Sequence, residues 1–118
     1  MKGNATYLYY AEDKPANIHR LTVSSGRDEV VDRDALGVTD FALDDEYAYW
    51  VEPGDAPDYA NGLLRRVAHD SKTAETLAVS IARPVAVAVS GRTAYVAAAG
   101  SAAESWADGA ILRVTLAD

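Results

Sequence analysis

The residues best suited to chemistry lie in two similar segments, Asp58-Tyr59-Ala60-Asn61-Gly62 and Ser105-Trp106-Ala107-Asp108-Gly109. Each sets an aromatic ring ahead of a polar side chain and a glycine. Tyr59 and Trp106 have the flat apolar faces that stack on a sugar or a peptide, and Asp58, Asn61 and Asp108 can supply the hydrogen bonds that orient it. The competing reading is structural: the ring packs over a sheet edge, and Asn-Gly or Asp-Gly makes the turn. Asp55, Asp58 and Asn61 recur every third residue. Asp55 and Asp58 are hard oxygen donors of the kind calcium takes, but calcium wants about six to eight oxygens and the spacing departs from an EF-hand loop. Solvated loop carboxylates are the simpler reading. Asp40 and Arg83 are further candidates for ligand contact.

No catalytic set accompanies them. The two histidines, His19 and His69, are not at metal-ligand spacing with each other. There is no Gly-x-Ser-x-Gly elbow and no glycine-rich phosphate loop.

The elements that must hold these residues repeat along the chain. Ile18-His19-Arg20-Leu21, Leu64-Arg65-Arg66-Val67 and Ile111-Leu112-Arg113-Val114 share the pattern aliphatic, any, Arg, aliphatic, at steps of 46 and 47 residues. Phe41-Ala42-Leu43 matches Val87-Ala88-Val89, Tyr49-Trp50 matches Tyr95-Val96, and Glu29 matches Glu75, all at a step of 46. Tyr9-Tyr10 precedes Tyr49-Trp50 by only 40, as a shorter loop in the first copy would give. Recurrence of Arg20, Arg66 and Arg113 in every copy argues for an architectural role. Their stems are expected to cover apolar surface, and their heads to pair with Glu29 and Glu75.

Within each copy the hydrophobic pattern has period two, and Ser24-Ser25-Gly26, Asp44-Asp45, Pro53-Gly54 and Ser90-Gly91 punctuate the runs. Four strands in about 46 residues suit a propeller blade. The expectation is an all-β fold, a β-propeller fragment of about two and a half four-stranded antiparallel blades. With strands lettered A to D from the axis outward, the order is BCD-ABCD-ABC. The whole chain, 1–118, forms one incomplete propeller domain: a partial blade over 1–37, a full blade over 38–83 and a partial blade over 84–118. In such a fold the long B–C loops, carrying Tyr59 and Trp106, emerge on one face, and Asp40 and Arg83 fall near the mouth of the axial channel.

The segments Tyr47-Ala48-Tyr49-Trp50-Val51 and Gly62-Leu63-Leu64-Arg65-Arg66-Val67 resemble the six-bladed propellers of the YWTD, NHL and TolB type. In those, an aromatic strand B precedes a strand C reading Gly-x-Ile-x-Arg-Val. The resemblance spans nearly the whole chain and marks fold rather than activity. The YWTD aspartate is missing, since Val51-Glu52 follows Tyr49-Trp50.

Composition limits the partners. The chain has 118 residues, no cysteine and a formal charge of −7. Disulfides and thiolate metal sites are excluded. An acidic surface disfavours nucleic acid and anionic membranes, and no apolar run is long enough to span a bilayer. The compartment stays open: a soluble chain, either cytosolic or extracytoplasmic with an upstream signal missing. Its richness in Ala, Asp, Arg and Val points to a GC-rich bacterial gene. No cofactor is expected beyond the weak calcium reading. Two and a half blades cannot close a ring alone, so the partners are itself, as a homo-oligomer, or further blades of a longer chain. Two functions fit: a non-catalytic binding or scaffold module presenting the B–C loops to a protein, peptide or sugar, or a fragment of a larger propeller enzyme of lactone hydrolase or lyase type.

Overall fold

The computed structural model describes residues 2–12, 16–33, 35, 37–57, 59–100 and 109–116. The strands are β1 (Lys2–Gly3), β2 (Tyr7–Ala11), β3 (Asn17–Thr22), β4 (Arg27–Arg33), β5 (Asp40–Leu43), β6 (Tyr47–Glu52), β7 (Gly62–Ala68), β8 (Glu75–Ile81), β9 (Pro84–Ser90), β10 (Thr93–Ala98) and β11 (Ala110–Thr115). They form three antiparallel sheets in strict sequence order, β1–β4, β5–β8 and β9–β11, with no helix among the described residues. This is the expected fold, a partial propeller whose sheets are its blades.

The first blade differs from expectation in having an inner strand. Lys2 and Gly3 pair with Tyr9 and Leu8, so the order is ABCD-ABCD-ABC. Two residues are too few to display a period, so nothing in the sequence marks β1. Gly3 suits it: a β-carbon there would meet the Tyr7 carbonyl and Leu8 at 3.0 Å. The outermost strand of the second blade begins at Glu75. Its pairing with β7 shifts register at Leu64, a bulge that blurs the alternation.

Period-two alternation sends neighbouring aromatics of one strand into different joints between blades. In β6, Trp50 turns back to the first blade, where it packs with Ile18 and Phe41, while Tyr49 turns forward to Val87 and Val96 of the third. Each joint has its own apolar core, and together they contain most of the buried residues.

The repeated arginines hold one register. Tyr9 faces Arg20, Tyr49 faces Arg66 and Tyr95 faces Arg113 across strands B and C. Arg20 and Arg66 continue the row to Glu29 and Glu75 on strand D, as expected. Arg20 is buried; it donates to Glu29 at 2.7 Å and, across the joint, to the carbonyls of Ala68 at 3.1 Å and Ser71 at 2.8 Å. Arg66 pairs with Glu75, and its guanidinium lies 4.0 Å from the ring centre of Tyr47. A third recurrent feature closes strand C. The N–H groups of Val23, His69 and Leu116 donate to the carbonyls of Thr6, Glu46 and Arg92 at 2.9, 2.9 and 2.8 Å. His69 then plugs into the first blade. Its Nε2–H donates to the Asp44 carbonyl at 2.8 Å, which leaves Nδ1 to accept from the Tyr9 hydroxyl at 2.8 Å.

Removing a buried cation that has such partners leaves a carboxylate and two carbonyls without it. Arg20→Ala is expected to lower unfolding stability by about 3–5 kcal/mol. Arg27, an exposed second partner of the same Glu29 at 3.7 Å, should matter little: Arg27→Ala by under about 1 kcal/mol. Urea titration of both variants checks this, and comparable losses would contradict a joint locked by Arg20.

Candidate functional site

Loop geometry gathers several of the candidate residues at one end of the second blade. In the β6–β7 loop, residues 53–61, the Asp55 N–H donates to Asn61 Oδ1 at 2.7 Å, and Asn61 Nδ2 donates back to Asp55 Oδ2 at 2.9 Å. This reciprocal pair pins the loop base. Gly54 makes it feasible: at its φ of 88°, a β-carbon would stand 2.6 Å from Asn61 Oδ1. Tyr59 donates its N–H to the Asp55 carbonyl at 2.9 Å, and its own carbonyl accepts from Arg83 N–H at 2.8 Å. The Arg83 guanidinium covers the Tyr59 ring at 4.8 Å from its centre.

Both members of that stack have left-handed backbones, φ 56° at Tyr59 and φ 50° at Arg83. For bulky residues this conformation costs on the order of 1–3 kcal/mol each, and it persists only where the surroundings enforce it. The enforcing bonds extend to the next blade. The carbonyls of Arg83 and Ala82 accept from the N–H groups of Ala99 and Gly100, both at 2.9 Å, where the β10–β11 loop begins. Asp55, Tyr59, Asn61 and Arg83 thus form one tied cluster. Asp58, Trp106 and Asp108 lie outside the described residues.

Asp40 has a different partner. Its Oδ2 accepts from the N–H of Val87 at 2.9 Å, tying inner strand β5 to β9 of the next blade. As for calcium, the Asp55 carboxylate is held by Asn61, and no group of three or more His, Asp or Glu side chains converges as on a metal ion among the described residues.

A second polar cluster was not singled out in the sequence. On the outward face of the first blade, His19 Nδ1 bonds Asp28 Oδ1 at 3.0 Å, while Nε2 bonds Glu12. The Tyr10 hydroxyl donates to the other Asp28 oxygen, and the Tyr10 ring stacks on His19 at 4.7 Å. Tyr10 and His19 are direct cross-strand partners, so the hairpin register was the signal that could have found them. Both imidazole nitrogens face carboxylates, which suits the doubly protonated ring. Burial pulls the His19 pKa down, but hydrogen bonds to Glu12 and Asp28 outweigh it and raise the pKa above the ordinary 6.5. The Tyr10 hydrogen bond lowers Asp28, and the same bond pushes Tyr10 up to about 12. Glu52, which stands in the second blade where Glu12 stands in the first, is raised by burial, against the pull of the Trp50 Nε1–H donor at 3.0 Å.

The fold defines the chain as a partial β-propeller. No protein-family model matches the chain, and no curated protein sequence matches it. Eight chains of solved structures do. One belongs to the crystal structure of a nidogen/laminin complex, with a TM-score of 0.56 and 15% identity. The match covers 79% of this chain and 34% of that one, so the present chain spans about a third of the solved chain's length. At that identity the likeness is one of fold.

A raised histidine pKa means that the folded state holds the proton more tightly than the unfolded chain does. The resulting stabilisation is complete below 6.5 and is lost as pH rises through the folded value. Asp28 works in the opposite direction, its contribution present at neutral pH and lost as acid reaches its lowered pKa. The thermal midpoint is therefore expected to fall as pH rises above 6.5, and His19→Gln should remove that part of the slope. An NMR titration placing the His19 ring at or below 6.5 would refute the cluster's charge state.

Proposed function

We propose that this chain is a non-catalytic binding or scaffold module, an incomplete propeller domain whose blades occupy 1–37, 38–83 and 84–118 and whose contact surface is the B–C loop end. The observation that carries this reading is the Tyr59–Arg83 stack, built from two residues in left-handed backbone and bound together by a 2.8 Å hydrogen bond. Strain maintained at one exposed end of a fold, away from either core, is a mark of a site rather than of packing. The stack is flat, cationic and aromatic, and it is set before any ligand arrives, so little ordering cost falls on binding. Asp55 and Asn61 border it with hydrogen-bonding groups.

The chemistry suits a peptide or protein surface, with a sugar as the other flat partner that a tyrosine accepts. A protein partner is favoured because the similar solved chain comes from a nidogen/laminin complex, an assembly of proteins.

The test uses a displayed random peptide library and a glycan array as probes. Binders selected on the wild-type chain are expected to lose at least about tenfold in affinity against Tyr59→Gly and Arg83→Ala. Tyr59→Gly should leave stability within about 1 kcal/mol, because relief of the left-handed backbone offsets the lost ring contact. Asp70→Ala, in the exposed turn after β7, should leave binding unchanged. Binders indifferent to Tyr59 and Arg83 would remove the loop face from consideration.

A further inference from the structure

We propose that Asn61 is a modification site: its side-chain amide is lost to water through attack by the Gly62 nitrogen, and Asp55 holds the amide back from that attack.

Asparagine is one of the thermolabile side chains. A glycine after it leaves the backbone nitrogen unshielded and free to turn toward the side chain. The fold requires both halves of this pair. A β-carbon at position 62 would stand 2.3 Å from Pro84 Cδ and 2.6 Å from the Ile81 carbonyl oxygen, so only glycine can open β7 there. Position 61 must accept from the Asp55 N–H at 2.7 Å and donate to Asp55 Oδ2 at 2.9 Å. An amide side chain does both, whereas an ionised carboxylate has nothing to donate. Asn61 is exposed, so water reaches it.

The chemistry needs no group beyond these and water. The Gly62 nitrogen attacks Asn61 Cγ. A bond forms between them, the Cγ–Nδ2 bond breaks, and ammonia leaves with the proton that Gly62 gives up. One water then opens the cyclic imide at either carbonyl. The product is an aspartate, or a backbone routed through the side-chain carboxyl and one methylene longer. In sum, amide and water become carboxylate and ammonium, and nothing is oxidised or reduced.

Asp55 opposes the first step. Ring closure needs the Asn61 torsions free, and both ends of its amide are held from across the loop. Gly54 packs against the same atoms: a β-carbon there would lie 2.6 Å from Asn61 Oδ1 and 2.9 Å from the Gly62 nitrogen. Neither product refits this frame. The aspartate sets a second carboxylate where Nδ2 stood, 2.9 Å from Asp55 Oδ2, and such a pair must repel or share a proton. The longer backbone displaces Gly62 from its place opposite Ile81. Either change releases Asp55, whose carbonyl accepts from the Tyr59 N–H.

Incubation in mildly alkaline buffer, digestion and mass spectrometry read each asparagine as amide or acid, with no ligand involved. Asn4, which precedes Ala5, reports the background rate in every sample. In the folded chain Asn61 should convert at least about tenfold more slowly than in urea, where the loop is open. Asp55→Ala lies at an exposed position and should keep cooperative unfolding, yet convert Asn61 about tenfold faster than the wild-type chain. Asp55→Asn still offers an acceptor to Asn61 Nδ2 and should recover most of the protection. A folded chain as fast as the unfolded one, an Asp55→Ala rate equal to wild type, or an Asp55→Asn rate equal to that of Asp55→Ala would each overturn the proposal. Asn61→Asp supplies one product directly. Hydrogen exchange at the Tyr59 N–H should rise about tenfold in it, and unchanged exchange would refute the release of Asp55.

Discussion

The joint between blades is the interaction on which the rest of this structure depends. A four-stranded sheet with apolar side chains on both faces is stable only when both are covered. Here the cover is directional. Arg20 gives up water, a loss offset by Glu29 in its own sheet and by two carbonyls in the next. Burial pulls its pKa down, while the Glu29 and Tyr9 hydrogen bonds and nearby charge carry it up, so the guanidinium remains ionised. An aliphatic core alone would let adjacent sheets slide. An arginine reaching the carbonyls of Ala68 and Ser71 fixes their offset.

Fixed joints make an irregular loop end possible. The backbone of Tyr59 and Arg83 departs from the conformations those residues prefer, and the strain is held by hydrogen bonds running from Asp55 through Arg83 to Ala99 and Gly100. Two of these anchor points belong to the third blade. A change in the joint between the second and third blades would therefore reach the stack directly. The bonds that join Tyr10, His19, Glu12 and Asp28 in the outward cluster lie within the first blade.

What the sequence revealed follows from this division. The step of 46, the strand B aromatics and the pairing of Arg20 with Glu29 and Arg66 with Glu75 were legible because each recurs with the sheet register. β1 was not, since two residues have no period. Tyr59 and Arg83 were each singled out, but for different sites, a loop rim and a channel mouth. Their union depends on left-handed backbone at two non-glycine residues, which residue type argues against. Asp40 was legible as an oddity of its repeat, since Ala86 stands in the next blade, but its bond to the Val87 N–H required the joint.

The ends of the stack are where sequence and physics diverge most. A free-standing array of repeats needs terminal units with polar outer faces. The first blade partly meets that need, with His19, Glu12 and Asp28 around Leu8 and Leu21. The third does not. Ile111 occupies there the position of two wholly buried residues and gains nothing by exposure, and Tyr95 beside it leaves an apolar patch of the kind that marks an interaction surface. A position that keeps a large aliphatic in all three blades has the composition of a joint and not of a surface.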